Sequence, residues 1–420
     1  METSNITKSI IDNIDNPSRL EQLYQNDKKS FVLSFNEAYP RFSNHLSAQI
    51  WNERLNKKYG GSSIDFNKKD ILFFILGIII TGFIAKIPTF FGLIEDEYYA
   101  KNISFIVIPF LMLFFAWKNS LSTKKIIIPS VIIIASALYI NLLPSIESNN
   151  SLILACIHLP LFLWSILGYT FIGGDLNNSF LKINYLKFNG DLLVMSALLL
   201  ISGGLFSGIT IGLFNLIELR IEEFYFNYIV VWGLSCIPLI ATYLVQSNPN
   251  LVSKISPVIA RIFTPLVLIT VVTFLITLLY TGKNIYSDRN FLLIFNLLLI
   301  GVMAIILFSV TEATKNELNK LSLILLLTLS ILTIIVNGIA LSAIVFRLTE
   351  FGITPNRLAV LGANLLIFFN LILVSIKLFR VVTKNEPVEK VGLIIASFIP
   401  YYSIWAFIVT FLFPIMFQFK

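Results

Sequence analysis

From about Asp70 onward the chain is a series of apolar blocks of membrane-spanning length, separated by short polar turns. No other feature narrows the fold so far. A crossing takes about 20 apolar residues, which leaves room for roughly eleven. In lipid the backbone must satisfy its own hydrogen bonds, so such blocks are read as helices. The expected fold class is all-α: a polytopic transmembrane helical bundle over residues 70–420, with a small N-terminal cytoplasmic helical segment over residues 1–69. The expected spans are 71–92, 102–117, 126–143, 151–172, 191–215, 227–246, 258–281, 290–310, 322–345, 357–377 and 398–417. Residues 387–397 read as an interfacial lead-in to the last span, with a kink at Pro400.

Composition agrees. Charged residues make up 13% of the chain, against about 25% in soluble domains. The net charge of +7 fits basic cytoplasmic loops. No Lys/Arg cluster with interleaved aromatics points to nucleic acid. Cys156 and Cys236 lie in apolar segments without ligand-like spacing, so neither a metal, a cofactor nor a disulfide is expected. The polar start METSNITKSIIDNIDNPSRL has no apolar core, so insertion is expected to begin with the first spanning helix. The Ile/Lys/Asn-rich usage fits an AT-rich bacterial genome.

Orientation follows from Lys and Arg. Residues 1–69 hold ten of them, and the later loops expected on that side are also the richer ones. The bias puts the N-terminus in the cytoplasm. Within 1–69, Ser18 and Glu21 form a capping-box pattern ahead of Leu20, Leu23 and Tyr24. Phe31 and Phe35 are one turn apart, as are Trp51 and Leu55. These stripes pack on each other, lie on the membrane, or bind a cytosolic protein partner through residues 18–58.

Candidate working residues are few. Gly204, Gly208 and Gly212 are spaced four apart in SGGLFSGITIG, and are read as a helix-packing face. Intramembrane polar groups are costly and need a reason. Lys86, just before Pro88, is expected to extend its amine outward, and His158 to be a hydrogen-bonded structural residue. Asn141, Asn215, Asn296, Asn337, Asn364 and Asn370 either join helices or line a polar path.

The sharpest local pattern is RLTEFGITPNR, residues 347–357. Gly352 suits a left-handed helix end, Thr354 a cap and Pro355 a first turn. The expected structural hairpin is external and brings Arg347, Glu350 and Arg357 together. KNIYSDRN has a similar build, with Ser287 or Asp288 as cap before Arg289. Arginines at helix starts that already favour anions form a candidate outer-face anion or lipid site: Arg289, Arg347, Glu350 and Arg357.

This hairpin, with IARIFTPLVLI, SDRNFLLIFN, the RLEQLY segment and a closing span holding Trp405 and Pro414, resembles the bacterial membrane family catalogued as domain of unknown function 4153. The likeness extends over most of the chain. It implies a polytopic helical fold in the bacterial inner membrane and carries over no catalytic residue. A second stretch, GLIEDEYYAK, resembles the acidic-plus-tyrosine segment of membrane glycosyltransferases that use lipid-linked donors. Glu95, Asp96 and Glu97 lie on the expected side, but the loop closes by about Asn102. No HExxH or GxSxG motif indicates a protease.

The leading expectation is a transport or channel-like, or lipid-interacting, protein without enzymatic chemistry, whose partners are membrane lipids. A scaffold or signalling role through the N-terminal helices comes second, and a glycosyltransferase third.

Overall fold

The structure, a computed structural model, describes residues 2–39, 42, 45–56, 68–145, 149–216, 218–247, 255–281, 289–312 and 320–418. No strand occurs among the described residues. The chain forms two compact units, Met1–Ser62 and Ser63–Lys420.

The first unit holds four short helices, α1 (Glu2–Asp12), α2 (Pro17–Asn26), α3 (Lys28–Ala38) and α4 (Leu46–Asn56). Its apolar stripes close on one another. Ile10, Leu20, Phe31, Phe35, Ala48 and Trp51 form one buried core. The Trp51 ring lies 5.1 Å from Phe31 and 5.5 Å from Tyr24, the range at which tilted rings attract. Glu21 bonds Arg54 and so ties α2 to α4. Arg54 also lies over the Trp51 ring at 4.4 Å. The cap of α2 is not Ser18. Asn16 accepts from the Arg19 N–H at 3.1 Å, because Pro17, with fixed φ and no N–H, takes the first helical position.

The second unit begins with α5 (Lys68–Ala85), α6 (Ile87–Phe91), α7 (Glu95–Lys118), α8 (Thr123–Leu142), α9 (Asn150–Phe171), α10 (Ser179–Leu216) and α11 (Glu222–Ser247). It continues with α12 (Ile255–Thr281), α13 (Arg289–Glu312), α14 (Lys320–Phe351) and α15 (Pro355–Lys384). The closing segment comprises α16 (Glu389–Ser397), α17 (Ile399–Phe407), a π-helical turn at Ile408–Leu412, and α18 (Phe413–Met416). Among the described residues, eight helices are long and apolar enough to cross a membrane. Shorter apolar stretches cover Ile262–Thr277 and Ile294–Val310. Long apolar side chains such as Leu193, Ile201, Ile269 and Leu297 are exposed, as a lipid-facing surface requires.

Two cores divide this unit. Phe74, Phe114, Leu159, Leu163, Tyr185 and Leu239 belong to the first. Leu299, Ile306, Leu329, Leu371, Val374 and Leu378 belong to the second. The closing segment touches both: Ala406 packs into the first and Tyr402 against the second. α10 begins twelve residues before its expected span, because Tyr185 and Phe188 on the extension are buried in the first core. The Tyr185 hydroxyl donates to the Trp164 carbonyl at 2.6 Å.

Glycines let rings approach a helix backbone, but not at the expected stripe. A Cβ at Gly77, Gly82, Gly190 or Gly362 would overlap the ring of Phe110, Trp232, Phe308 or Trp405 respectively. Trp232 and Trp405 also donate their ring N–H to the carbonyls of Ile78 and Ala359, each at 3.3 Å. Gly204, Gly208 and Gly212 are exposed instead, and beyond the helix's own backbone no described atom comes within 4 Å of a Cβ built there. Among the described residues the packing face expected here meets no partner helix, because the second half of α10 extends beyond the first core.

Candidate functional site

Five polar side chains that are 0% exposed, Ser330, Thr333, Asn337, Asn364 and Asn370, lie on α14 and α15, which run antiparallel from one hairpin. The turn is local chemistry. Gly352 holds φ +76°, a left-handed conformation that costs glycine nothing. The Thr354 hydroxyl caps α15 by accepting from the Arg357 N–H at 3.4 Å, and Pro355 fills the first turn. Along the pair, Asn337 Nδ2 donates to the Asn364 backbone carbonyl at 3.2 Å. Ser375 Oγ donates to Ser330 Oγ at 2.9 Å. Asn370 Nδ2 donates to the Tyr402 hydroxyl on α17 at 3.0 Å. Asn364 and Ser375 are eleven residues apart, about 16 Å along the helix, and they straddle the middle of α15.

Asn337, Asn364 and Asn370 are all 0% exposed. Their hydrogen bonding is incomplete. Among the described residues, Asn337 Oδ1, Asn370 Oδ1 and both side-chain polar atoms of Asn364 have no partner. Leaving a buried amide group unbonded costs about 1–3 kcal/mol. Asn337 and Asn370 offset this with one bond each. Asn364 does not, although its backbone carbonyl serves Asn337. No ionised side chain takes part in these three contacts, so the seam presents amide and hydroxyl groups alone.

The other asparagines differ. Asn141 pairs with Asn102 through both amides, at 2.8 and 2.9 Å, and joins α8 to α7. Asn215 is exposed near the end of α10. Asn296 Oδ1 on α13 is buried without a partner. His158 Nδ1 lies 2.9 Å from the Leu154 carbonyl of its own helix.

The 347–357 hairpin holds together differently from the expected Arg–Glu cluster. Arg357 Nη1 donates to the carbonyls of Phe351 and Gly352 at 2.8 and 2.7 Å. It thereby closes the end of α14, where carbonyls lack helical partners. Among the described residues, Arg347, Glu350 and Arg357 form no ion pair with one another. α13 begins at Arg289, whose side chain lies outside the described residues. So do Ser287 and Asp288.

Lys86 does not extend outward. It is 2% exposed, and its Nζ donates to the Asn227 carbonyl at 2.6 Å. Asn227 sits in a π-helical turn, Tyr225–Val230, and the Tyr228 ring lies 4.8 Å from the amine. Pro88 has no N–H for the Ile84 carbonyl. The Tyr98 hydroxyl donates to that carbonyl at 2.7 Å, and Tyr99 serves Ala85 at 2.8 Å. Both tyrosines of the EDEYYAK stretch are therefore committed to the kink. Glu95 and Asp96 are exposed on the first turn of α7. Glu97 holds the buried Lys101 at 2.9 Å. Cys156 and Cys236 are free and buried. Among the described residues, no group of three or more His, Cys, Asp or Glu is placed to hold a metal.

Sequence reasoning missed Ser330, Ser375 and Tyr402. Serines in a membrane helix are common, and Tyr402 meets Asn370 through folding alone. Comparison with protein-family models, curated proteins and solved structures finds no match.

Proposed function

We propose that this is a multi-pass membrane protein with about eleven crossings that passes a small uncharged hydrogen-bonding solute along the seam between α14 and α15. The observation that carries the reading is Asn364. A fully buried amide in mid-helix with neither polar atom bonded is a cost without a structural return. Polar groups that only join helices complete their bonds, as Asn102 and Asn141 do. An amide offers one donor group and one acceptor group, the set that a neutral polar solute replaces when it leaves water.

The orientation in this reading has a cytoplasmic N-terminus and an external 347–357 hairpin. A cysteine at the exposed Ile353, in a background lacking Cys156 and Cys236, should react with an impermeant thiol reagent on intact cells. Labelling confined to lysed cells would reverse the topology.

Transport is tested in proteoliposomes by stopped-flow light scattering with glycerol and with urea. Parent vesicles should admit at least one of them faster than empty vesicles, and Asn364→Leu should return the rate to that of empty vesicles. If parent vesicles admit neither faster, the seam only holds helices together.

A further inference from the structure

A groove of about 330 Å³ opens on the surface of α14 and α15. Leu327, Ile331, Ile376 and Phe379 form its walls, and Ser375, bonded to Ser330, lies at its floor. Arg380 and Lys384 line it toward the end of α15. From Ser375 to Lys384 is nine residues, about 14 Å along the axis. The groove is thus apolar for most of its length and cationic at one end. Ile331, Ile376 and Phe379 are 47%, 47% and 55% exposed, on helices long and apolar enough to cross a membrane. The medium these walls meet is hydrocarbon.

Among the described residues, the charges at the cationic end are not neutralised. Residues 377–390 contain Lys377, Arg380, Lys384 and Lys390 against Glu386 and Glu389, a surplus of two positive charges. Glu386 is shared by Lys377 at 2.7 Å and Lys390 at 3.3 Å. Neither Arg380 nor Lys384 forms an ion pair among the described residues, and both are exposed. The carboxyl-terminal end of a helix offers them about half a negative charge, less than the surplus. A free anion would find no use for the apolar walls, and a neutral apolar chain none for the cations. One molecule that satisfies both is an amphiphile.

We infer that this groove binds an anionic phospholipid, with one acyl chain against Ile331, Ile376 and Phe379 and the phosphate at Arg380 and Lys384. The inference does not depend on the proposed transport role, since the apolar walls and the two cations lie on the helix surface and none of the seam's asparagines lines the groove, which shares only Ser375 with it.

The test is native mass spectrometry of the full chain, purified in detergent with equal amounts of phosphatidylglycerol and phosphatidylcholine of the same acyl length. The parent should retain the anionic lipid over the zwitterionic one by about ten-fold. Arg380→Gln with Lys384→Gln should bring the ratio to about one. Ile376→Trp, which fills the groove, should lower retention of both lipids at an unchanged melting temperature. Should it misfold, the double glutamine variant, altered only at exposed side chains, decides alone. A parent ratio near one, or a ten-fold ratio that survives both charge removals, overturns the proposal. So does a dimer that excludes lipid and is broken by Ile376→Trp, because a second copy would then occupy the groove.

Discussion

Replacing Asn364 with leucine should stabilise the protein. The two side chains have nearly the same shape, so the substitution leaves no large void. It removes two buried polar atoms that have no partner. It keeps the backbone carbonyl that accepts from Asn337. Each unbonded buried group costs about 1–3 kcal/mol. The unfolded chain in a membrane or micelle also desolvates part of the amide, which reduces the gain. The expected net effect is about 2 kcal/mol, a rise in melting temperature of about 2–3 °C. Cys156 and Cys236 supply the assay, because both are buried and free. A thiol-reactive fluorogenic dye then reports unfolding as the cores open. Asn370→Leu is the control. It breaks the 3.0 Å bond to Tyr402 and strands a hydroxyl, so it should lose about 1–2 kcal/mol. If Asn364→Leu lowers the melting temperature as Asn370→Leu does, Asn364 holds the helices together and the reasoning about its unbonded amide fails.

The same melt checks five further variants. Gly362→Ala should cost about 1–3 kcal/mol, since the new methyl overlaps the Trp405 ring; an unchanged melt would mean that the ring moves freely. Gly208→Leu should insert and melt like the parent, because beyond its own helix backbone no described atom lies within 4 Å of its Cβ; a large loss would reveal a partner packed on that face. Arg357→Ala should cost about 1 kcal/mol through the two carbonyls it leaves unbonded, and Gly352→Val about 1–2 kcal/mol through its positive φ alone; an unaltered melt for either variant would refute its assigned role. The Lys377 hydrogen bond holds the Glu386 carboxyl below its ordinary value. Its stabilisation is therefore complete above about pH 4.3 and lost as pH falls through the lower folded value; Glu386→Gln should flatten the melting profile in that window, and an unchanged slope would assign the acid sensitivity elsewhere.

Local features were legible from the residues. Gly352, Thr354 and Pro355 act within a few positions of one another, so their spacing already specifies the turn. Apolar length identifies helices because lipid forces backbone bonds inside each segment. What depends on meeting another helix was not legible. The spacing of Gly204, Gly208 and Gly212 is the same whether a helix lies across them or not. The glycines on which rings press most closely, Gly77, Gly82, Gly168, Gly190 and Gly362, have no spacing in common. Lys86 turned inward because a π-helical turn more than a hundred residues away offers a carbonyl, and no periodicity announces that. The seam was half legible. Asn337, Asn364 and Asn370 stand out as polar residues in apolar helices, but their separation from the fully paired Asn141 needed coordinates.

The π-helical turn at Ile408–Leu412 sets the facing of everything after it. Trp405 and Phe413 are eight positions apart. At 100° per residue an unbroken α-helix would point them about 80° away from each other. A π turn adds one residue without adding rotation, so the pair behaves as if seven apart, within about 20° of the same direction. Their rings accordingly meet at 6.0 Å, and Phe413 is buried with Leu154 and Ala359. The Tyr139 hydroxyl, donating to the Phe411 carbonyl at 2.9 Å, holds the surplus residue in place. The last helix is thus phased by a donor on α8: a single deletion between Ile408 and Leu412 would leave plain α-helix with the two rings seven positions apart and Phe413 still facing Trp405, whereas one further inserted residue would swing Phe413 about 80° away while leaving hydropathy nearly unchanged.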